Sequence, residues 1–144
     1  MIYFDSSALV KKYVREVGSD RVFDLMKGVS MPVTSIMAWP EMLSGFARKR
    51  REKGISEKDC RKAMDAFEAD WKSFVIVEFQ DELLPVMKRL AQKHALKGAD
   101  LVHLSSVLWL RKAVREKMIF VASDVQLLRA AEAEKIEVIN PEQP

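Results

Sequence analysis

The chain is poor in the residues that staple or ligate. It has one cysteine, Cys60, and two histidines in 144 residues. No internal disulfide can form, no zinc site can be assembled from cysteine, and the usage fits a reducing cytoplasm. Five glycines and five prolines exclude collagen-like and linker-dominated chains. The longest uninterrupted apolar run, Met118 to Ala122, has five residues, against about 20 for a membrane span and about 7 to 15 for a signal-peptide core. A protein that neither crosses a membrane nor is exported is therefore expected. An excess of one charge is also missing: 24 Lys and Arg against 21 Asp and Glu leave +3, which permits a polyanionic partner without requiring one.

What is present is ordinary globular material, 49% hydrophobic and 31% charged. Chains of this length bury roughly 68–70% of their unfolded surface, enough for a core without staples. One domain over residues 1–144 is expected. Periodicity gives a short strand at Ile2 to Phe4 and a helix opened by Ser6 or Ser7 running to about Glu16. A second helix covers about Ser19 to Lys27, a brief strand Ser30 to Val33, and Thr34 or Ser35 caps a helix that continues to about Lys53. Ser56 and Asp59 read as a capping box before the stripe Cys60, Ala63, Met64, Phe67 and Trp71. Beyond it come a strand at Phe74 to Phe79, a helix broken by Gly98, a long helix from about Ala99 to Lys117, the strand Met118 to Ala122, a helix from Asp124 to about Lys135, and a strand Ile136 to Ile139. Residues Asn140 to Pro144 read as a polar tail. The strands are apolar without alternation, as strands covered on both faces are. The fold class is therefore α/β, a three-layer α/β/α sandwich on a short, mainly parallel sheet.

In such sheets ligands bind beyond the carboxyl ends of the strands. Asp5 ends the first strand and Asp124 the late strand, Asp100 begins the long helix, and Glu41 lies near the start of the helix after the second strand. Singly, each aspartate is explained as a cap or first-turn acid. Glu41, set between Ile36 to Pro40 and Met42-Leu43, is harder to explain, because a lone buried carboxylate is costly. If the four converge, repulsion raises their pKa values unless a cation neutralises them. All-carboxylate donors suit Mg²⁺ or Mn²⁺ rather than Zn²⁺.

These segments resemble a known family. Met1-Ile-Tyr-Phe-Asp5-Ser-Ser-Ala-Leu-Val-Lys11, Glu41-Met-Leu-Ser-Gly-Phe-Ala-Arg48, Gly98-Ala-Asp100-Leu-Val-His103-Leu and Val121-Ala-Ser-Asp124-Val-Gln-Leu-Leu128 are similar, in that order, to the four acidic motifs of PIN-domain ribonucleases of the VapC-like toxin group. The resemblance implies a Mg²⁺- or Mn²⁺-dependent endoribonuclease with Asp5, Glu41, Asp100 and Asp124 as its catalytic and metal site and Ser6 and Ser123 as hydroxyl neighbours. It also implies a cognate antitoxin protein, a homodimer and a cytoplasmic location. Attack by a water activated at the metal would leave 5'-phosphate and 3'-hydroxyl ends. Trp39-Pro40 before Glu41 departs from the pattern and leaves the orientation of Glu41 open: Pro40 either starts the helix or bends it.

Other residues have competing readings. His103 shares a helix face with Asp100, as a neighbour of the metal ligands or as packing. Arg48 heads a basic run, Arg48 to Arg51 with Lys53, either an RNA-phosphate patch or a helix C-terminus favoured by the dipole. Lys11, Lys12 and Arg15 follow the first acid and are expected to contact RNA. Trp71 and Trp109 read as packing, and Trp39 is the one candidate for base stacking. His94 is expected at the surface near terminal carbonyls. The alternatives are a phosphoacceptor signalling domain, which lacks here the acidic pair after the first strand and the later strand-end lysine, a catalytically silent PIN-like module binding RNA or protein, and a domain whose acids are only caps.

Overall fold

The computed structural model describes residues 1–144. The elements alternate as β1 (Ile2–Phe4), α1 (Ser6–Tyr13), α2 (Ser19–Lys27), β2 (Val33–Ser35), α3 (Ala38–Arg51), α4 (Glu57–Trp71), β3 (Val75–Val77), α5 (Leu83–Lys93), α6 (Gly98–Val114), β4 (Ile119–Val121), α7 (Val125–Ala133) and β5 (Glu137–Ile139). The five strands form one sheet in the order β3-β2-β1-β4-β5, every pairing parallel.

Alternate strand residues serve opposite faces, as the period of two requires. Phe4 and Val121 pack with Ala8, Leu9, Met42, Phe46, Cys60 and Phe67 from α1, α3 and α4. Tyr3, Val33, Val77 and Phe120 pack instead with Leu90, Leu104, Val107 and Leu127 from α5, α6 and α7. Two cores thus sandwich the sheet, giving the three layers expected. The stripe on α4 holds, with Cys60, Ala63 and Phe67 buried and Met64 and Trp71 against them. The Ser56 hydroxyl accepts from the Asp59 N–H at 3.0 Å.

Several boundaries move. Thr34 and Ser35 do not cap α3 but belong to β2, with Val33, Thr34 and Ser35 registered on Val75, Ile76 and Val77. Their hydroxyls are already used: Thr34 donates to the Phe4 carbonyl at 2.8 Å and Ser35 accepts from the Met37 N–H at 3.1 Å. Helix α3 therefore starts at Ala38, and Pro40 falls in its first turn, where an N–H has no intrahelical acceptor to lose. Helix α1 stops at Tyr13 rather than near Glu16, α5 ends at Lys93, and Gly98 opens α6 instead of breaking α5.

The carboxyl-terminal residues are docked rather than a loose tail. The Glu142 carboxylate takes the buried Lys11 ammonium at 2.6 Å, and Arg21 donates to the Gln143 carbonyl. Gly18, at φ +89, lies so close that an added Cβ would meet the Pro141 carbonyl carbon at 2.9 Å. Both its left-handed backbone and this approach require glycine. No helix is long and apolar enough to cross a membrane.

Candidate active site

Connections from β1 run through β2 to β3 on one side and return through β4 to β5 on the other, so the chain changes direction between β1 and β4. In open parallel sheets the crevice at such a point is where ligands bind. Phe4 is registered on Val121, so the next residues, Asp5 and Ala122 with Ser123 and Asp124, leave the sheet side by side. The Asp5 N–H still donates to the Val121 carbonyl at 2.9 Å. A cleft of about 530 Å³ opens there, and its lining includes Asp5, Glu41, Asp100 and Asp124 with Ser6 and Ser7. The four acids therefore meet, although they come from two strand ends and from helices in opposite layers.

Each is held by a short local device. Asp5 caps α1: its Oδ2 accepts from the Ser7 N–H at 3.0 Å and the Ser7 hydroxyl at 2.5 Å. The Ser7 oxygen in turn accepts from the Ser123 N–H at 2.9 Å, tying the ends of β1 and β4 together. Asp124 caps α7, accepting from the Leu127 N–H at 2.9 Å through Oδ1. The cap reading and the site reading are thus both true of these aspartates, since one carboxylate oxygen can serve the helix while the other faces the cleft.

Glu41 is held from two sides. Ser6 donates to its Oε1 at 2.8 Å, and His103 Nε2 lies 2.5 Å from the same oxygen. His103 is wholly buried. Its Nδ1 is 2.9 Å from the Tyr3 hydroxyl, and its Nε2 is 3.4 Å from Asp5 Oδ1. Because Nε2 faces carboxylate oxygens, it carries a proton in this arrangement. Burial pulls the imidazole pKa down, but Asp5, Glu41 and Asp100 outweigh it and leave His103 above its ordinary value. Burial alone would raise Glu41, yet the imidazole and Ser6 leave it below the usual glutamate value. Burial and then Asp5 hold the Tyr3 phenol well above its ordinary value, so it remains a hydroxyl.

Asp100 behaves differently. Burial, and then the charges of Asp5 and Asp124, raise its pKa. This is the repulsion that converging carboxylates must show, and it is what a bound cation relieves. The donor set fits Mg²⁺ or Mn²⁺: oxygen ligands only, with serine hydroxyls beside them. No three His, Cys, Asp or Glu side chains stand close enough together to hold a metal ion among them, so an ion here would take one or two carboxylates directly and complete its shell with waters. Ser123 Oγ is buried beside this site with no hydrogen-bond partner, a polar atom that a ligand or its water could satisfy.

The basic residues sort differently from expectation. Lys11 does not face the cleft: it is 3% exposed and its ammonium is taken by Glu16 at 2.9 Å and Glu142 at 2.6 Å. Its place on the helix opened by Asp5 suggested nearness to the cleft, but burial inside an ion-pair cluster keeps it from RNA contact. Lys12 pairs with Asp70 at 2.7 Å and Arg15 with Asp20 at 2.7 Å, and both line a different depression beside Gly54 and Lys62. Arg48 does line the acidic cleft, together with Lys49 and Lys97. Lys97 has no signal in the sequence beyond the acid three residues later that marks a helix start, and Ser7 and Tyr3 stand in the first motif without any sign of their part in the site. Trp39 is not offered to a base, because its ring packs on Phe67 at 5.4 Å and Trp71 at 5.1 Å. His94 bonds Glu134 at 2.9 Å rather than terminal carbonyls.

Comparison with known proteins agrees with this architecture. The family model of the PIN domain matches residues 2–135. Two relatives from Mycobacterium tuberculosis, Ribonuclease VapC45 of strain CDC 1551 / Oshkosh and Ribonuclease VapC49 of strain ATCC 25618 / H37Rv, are each 35% identical over 112 residues, 75% of this chain and 75% of theirs. Among solved structures, FitAcB from Neisseria gonorrhoeae superposes with a TM-score of 0.72 at 15% identity, covering 100% of both chains. VapBC2 from Rickettsia felis, bound to a DNA fragment from its promoter, superposes with a TM-score of 0.70 at 12% identity, covering 97% of this chain and 98% of that one. These last two likenesses speak to the fold.

Proposed function

This chain belongs to the PIN domain family, and on that premise we propose that it is an endoribonuclease of the VapC type, the toxin of a toxin–antitoxin pair, using Mg²⁺ or Mn²⁺. The observation that carries the reading is the convergence of Asp5, Glu41, Asp100 and Asp124 on one cleft at the carboxyl edge of the sheet. The relatives bearing the name ribonuclease support the substrate class.

Asp5 and Asp100 would hold the ion directly, and Glu41 and Asp124 would act through water, toward a second ion or in orienting the attacking water. When bound, such an ion supplies charge neutralisation at the phosphate and a nucleophilic water at neutral pH. His103 and Ser6 keep the Glu41 carboxylate ionised and aimed into the cleft. Asp5, fixed by Ser7, keeps one oxygen there as well. Hydrolysis in this cleft would join the water oxygen to phosphorus and break the bond from phosphorus to the 3'-oxygen, the proton lost by the water being balanced by the one the 3'-oxygen takes from solvent. The products are then a 5'-phosphate and a 3'-hydroxyl. An antitoxin that covers this cleft, a homodimer and a cytoplasmic setting belong to the same reading, as does a single domain across the chain.

The test is cleavage of a mixed pool of structured RNAs by purified, antitoxin-free protein with Mg²⁺, with Mn²⁺ and with chelator. Metal-dependent cutting that disappears in an Asp5→Asn/Asp100→Asn double variant, with 5'-phosphate ends, is expected. Products ending in 2',3'-cyclic phosphate would overturn the water attack. A folded protein that neither cuts RNA nor binds metal would point to a silent PIN-like module.

A further inference from the structure

Three cations line the acidic cleft, Arg48, Lys49 and Lys97, and they are not equivalent. Lys49 is committed to Glu16 at 2.9 Å. Glu16 is shared with the buried Lys11, which also holds Glu142 of the docked carboxyl-terminal residues. Lys49 is therefore one member of a neutralised chain of charges. Arg48 and Lys97 are exposed and neither enters an ion pair, although carboxylates stand in the same cleft. They also lie on opposite walls. Arg48 is carried by α3, in the layer packed on Phe4 and Val121, and Lys97 precedes the first turn of α6, in the layer packed on Tyr3 and Phe120. Both share the cleft's lining with the four carboxylates.

A polyanion entering this cleft is repelled by the carboxylates wherever no cation neutralises them. Unpaired cations on both walls are the groups that can hold the phosphates on either side of the one being attacked. Resting on the ribonuclease reading, we propose that Lys97 and Arg48 form a two-point phosphate clamp, so that a single RNA strand crosses the carboxyl edge of the sheet from the α3 wall to the α6 wall. Arg48 offers a planar fork able to grip one phosphate by two hydrogen bonds, and Lys97 a mobile point charge that tolerates varied backbone geometry. Such contacts fix where the strand lies and carry no sequence preference of their own.

The clamp is tested with the full chain carrying Asp5→Asn, which leaves RNA uncut. Asparagine remains a good cap for α1, so the background folds. Binding of a fluorescein-labelled, mixed-sequence single-stranded RNA is followed by anisotropy across a salt series. Each phosphate contact on a single strand contributes about 0.7 to the slope of log affinity against log salt, or about five-fold in affinity per decade of salt. Lys97→Ala and Arg48→Ala are each expected to lower the slope by about 0.7 and to weaken binding about five-fold at 0.1 M salt. Lys97→Arg keeps the slope, and Lys112→Ala, one charge removed at the far end of α6, changes nothing. In the cutting enzyme the same two variants raise KM and leave kcat near its parent value. A Lys97→Ala protein that matches Lys112→Ala in slope and KM overturns the clamp while leaving the nuclease intact. A parent that neither binds nor cuts RNA overturns both.

Discussion

Replacing His103 with leucine tests the buried hub of the site. The substitution preserves bulk but removes both ring nitrogens from a side chain with no exposure. Glu41 Oε1 loses a partner at 2.5 Å and keeps only Ser6, and the buried Tyr3 hydroxyl loses its partner at 2.9 Å. A hydrogen bond to a charged group contributes about 1.5–3 kcal/mol, and an unpaired buried hydroxyl costs about 1–3 kcal/mol. His103→Leu should therefore lower stability by about 3–5 kcal/mol, a large part of the roughly 5–15 kcal/mol available to a folded protein. His103→Gln, which keeps one donor for Glu41, should recover about half of that. The pH dependence has a definite shape. His103 is raised above 6.5 when folded, so its contribution is full below 6.5 and is lost as pH rises through the folded value. Glu41 is lowered below 4.5, so its contribution is full above 4.5 and is lost as pH falls through the folded value. The stability difference between parent and His103→Leu, from urea unfolding in chelator, should be flat between these two ordinary values and shrink outside them. A difference below about 1 kcal/mol, or one independent of pH, would refute the hub.

Three further substitutions probe separate claims. Asp100→Asn should abolish cleavage yet raise the melting temperature in chelator, because a carboxyl with a raised pKa destabilises the fold at every pH above its folded value; a lower melting temperature would show that the carboxylates do not repel. Glu134 is brought down to about 2 by His94, Lys93 and Arg89 against the opposing effect of burial. With Arg89 and Lys93 each 52% exposed, screening discounts the effect of Glu134→Gln to about 1–2 kcal/mol. That cost should appear in denaturant titrations at neutral pH and vanish as pH falls from 4.5 toward 2; a cost that persists at the acid end would dismiss the ionic account. Gly18→Ala should cost about 1–2 kcal/mol for its left-handed backbone, and the contact with Pro141 adds to this. Amide exchange should quicken over residues 140–143, and unchanged protection there would mean that the carboxyl-terminal residues are not held by this approach.

The parts of the fold that were readable are those in which local pattern and tertiary role coincide. Phe4-Asp5 and Ala122-Ser123-Asp124 combine an apolar run with a helix cap, so strand, turn and acid announce one another. Cys60 to Trp71 carried its own start signal and stripe. Thr34 and Ser35 misled because their hydroxyls looked like caps, whereas their backbones are registered on Ile76 and Val77 of β3 and the Thr34 hydroxyl donates to Phe4 of β1. Lys11 misled more seriously. Nothing within a few residues reveals that Glu142, at the other end of the chain, accepts its ammonium. His103 was legible as a neighbour of Asp100, but its contact with Tyr3 across the sheet was not, since it joins β1 to α6. Lys97 escaped because an unpaired lysine before a helix looks like any solvated one until the cleft around it is seen.

The order of the strands also has a consequence for synthesis. β1 is made well before β4, yet the two are neighbours in the middle of the sheet. Asp5 and Asp124, joined through Ser7 and Ser123, lie far apart in the sequence. On the ribonuclease reading, a nascent or truncated chain that stops before residue 124 has no complete cleft and leaves the RNA around its own ribosome untouched. On that reading cutting begins only once the segment carrying Asp124 has been made and β4 has joined β1, which is also when an inhibitor must be at hand.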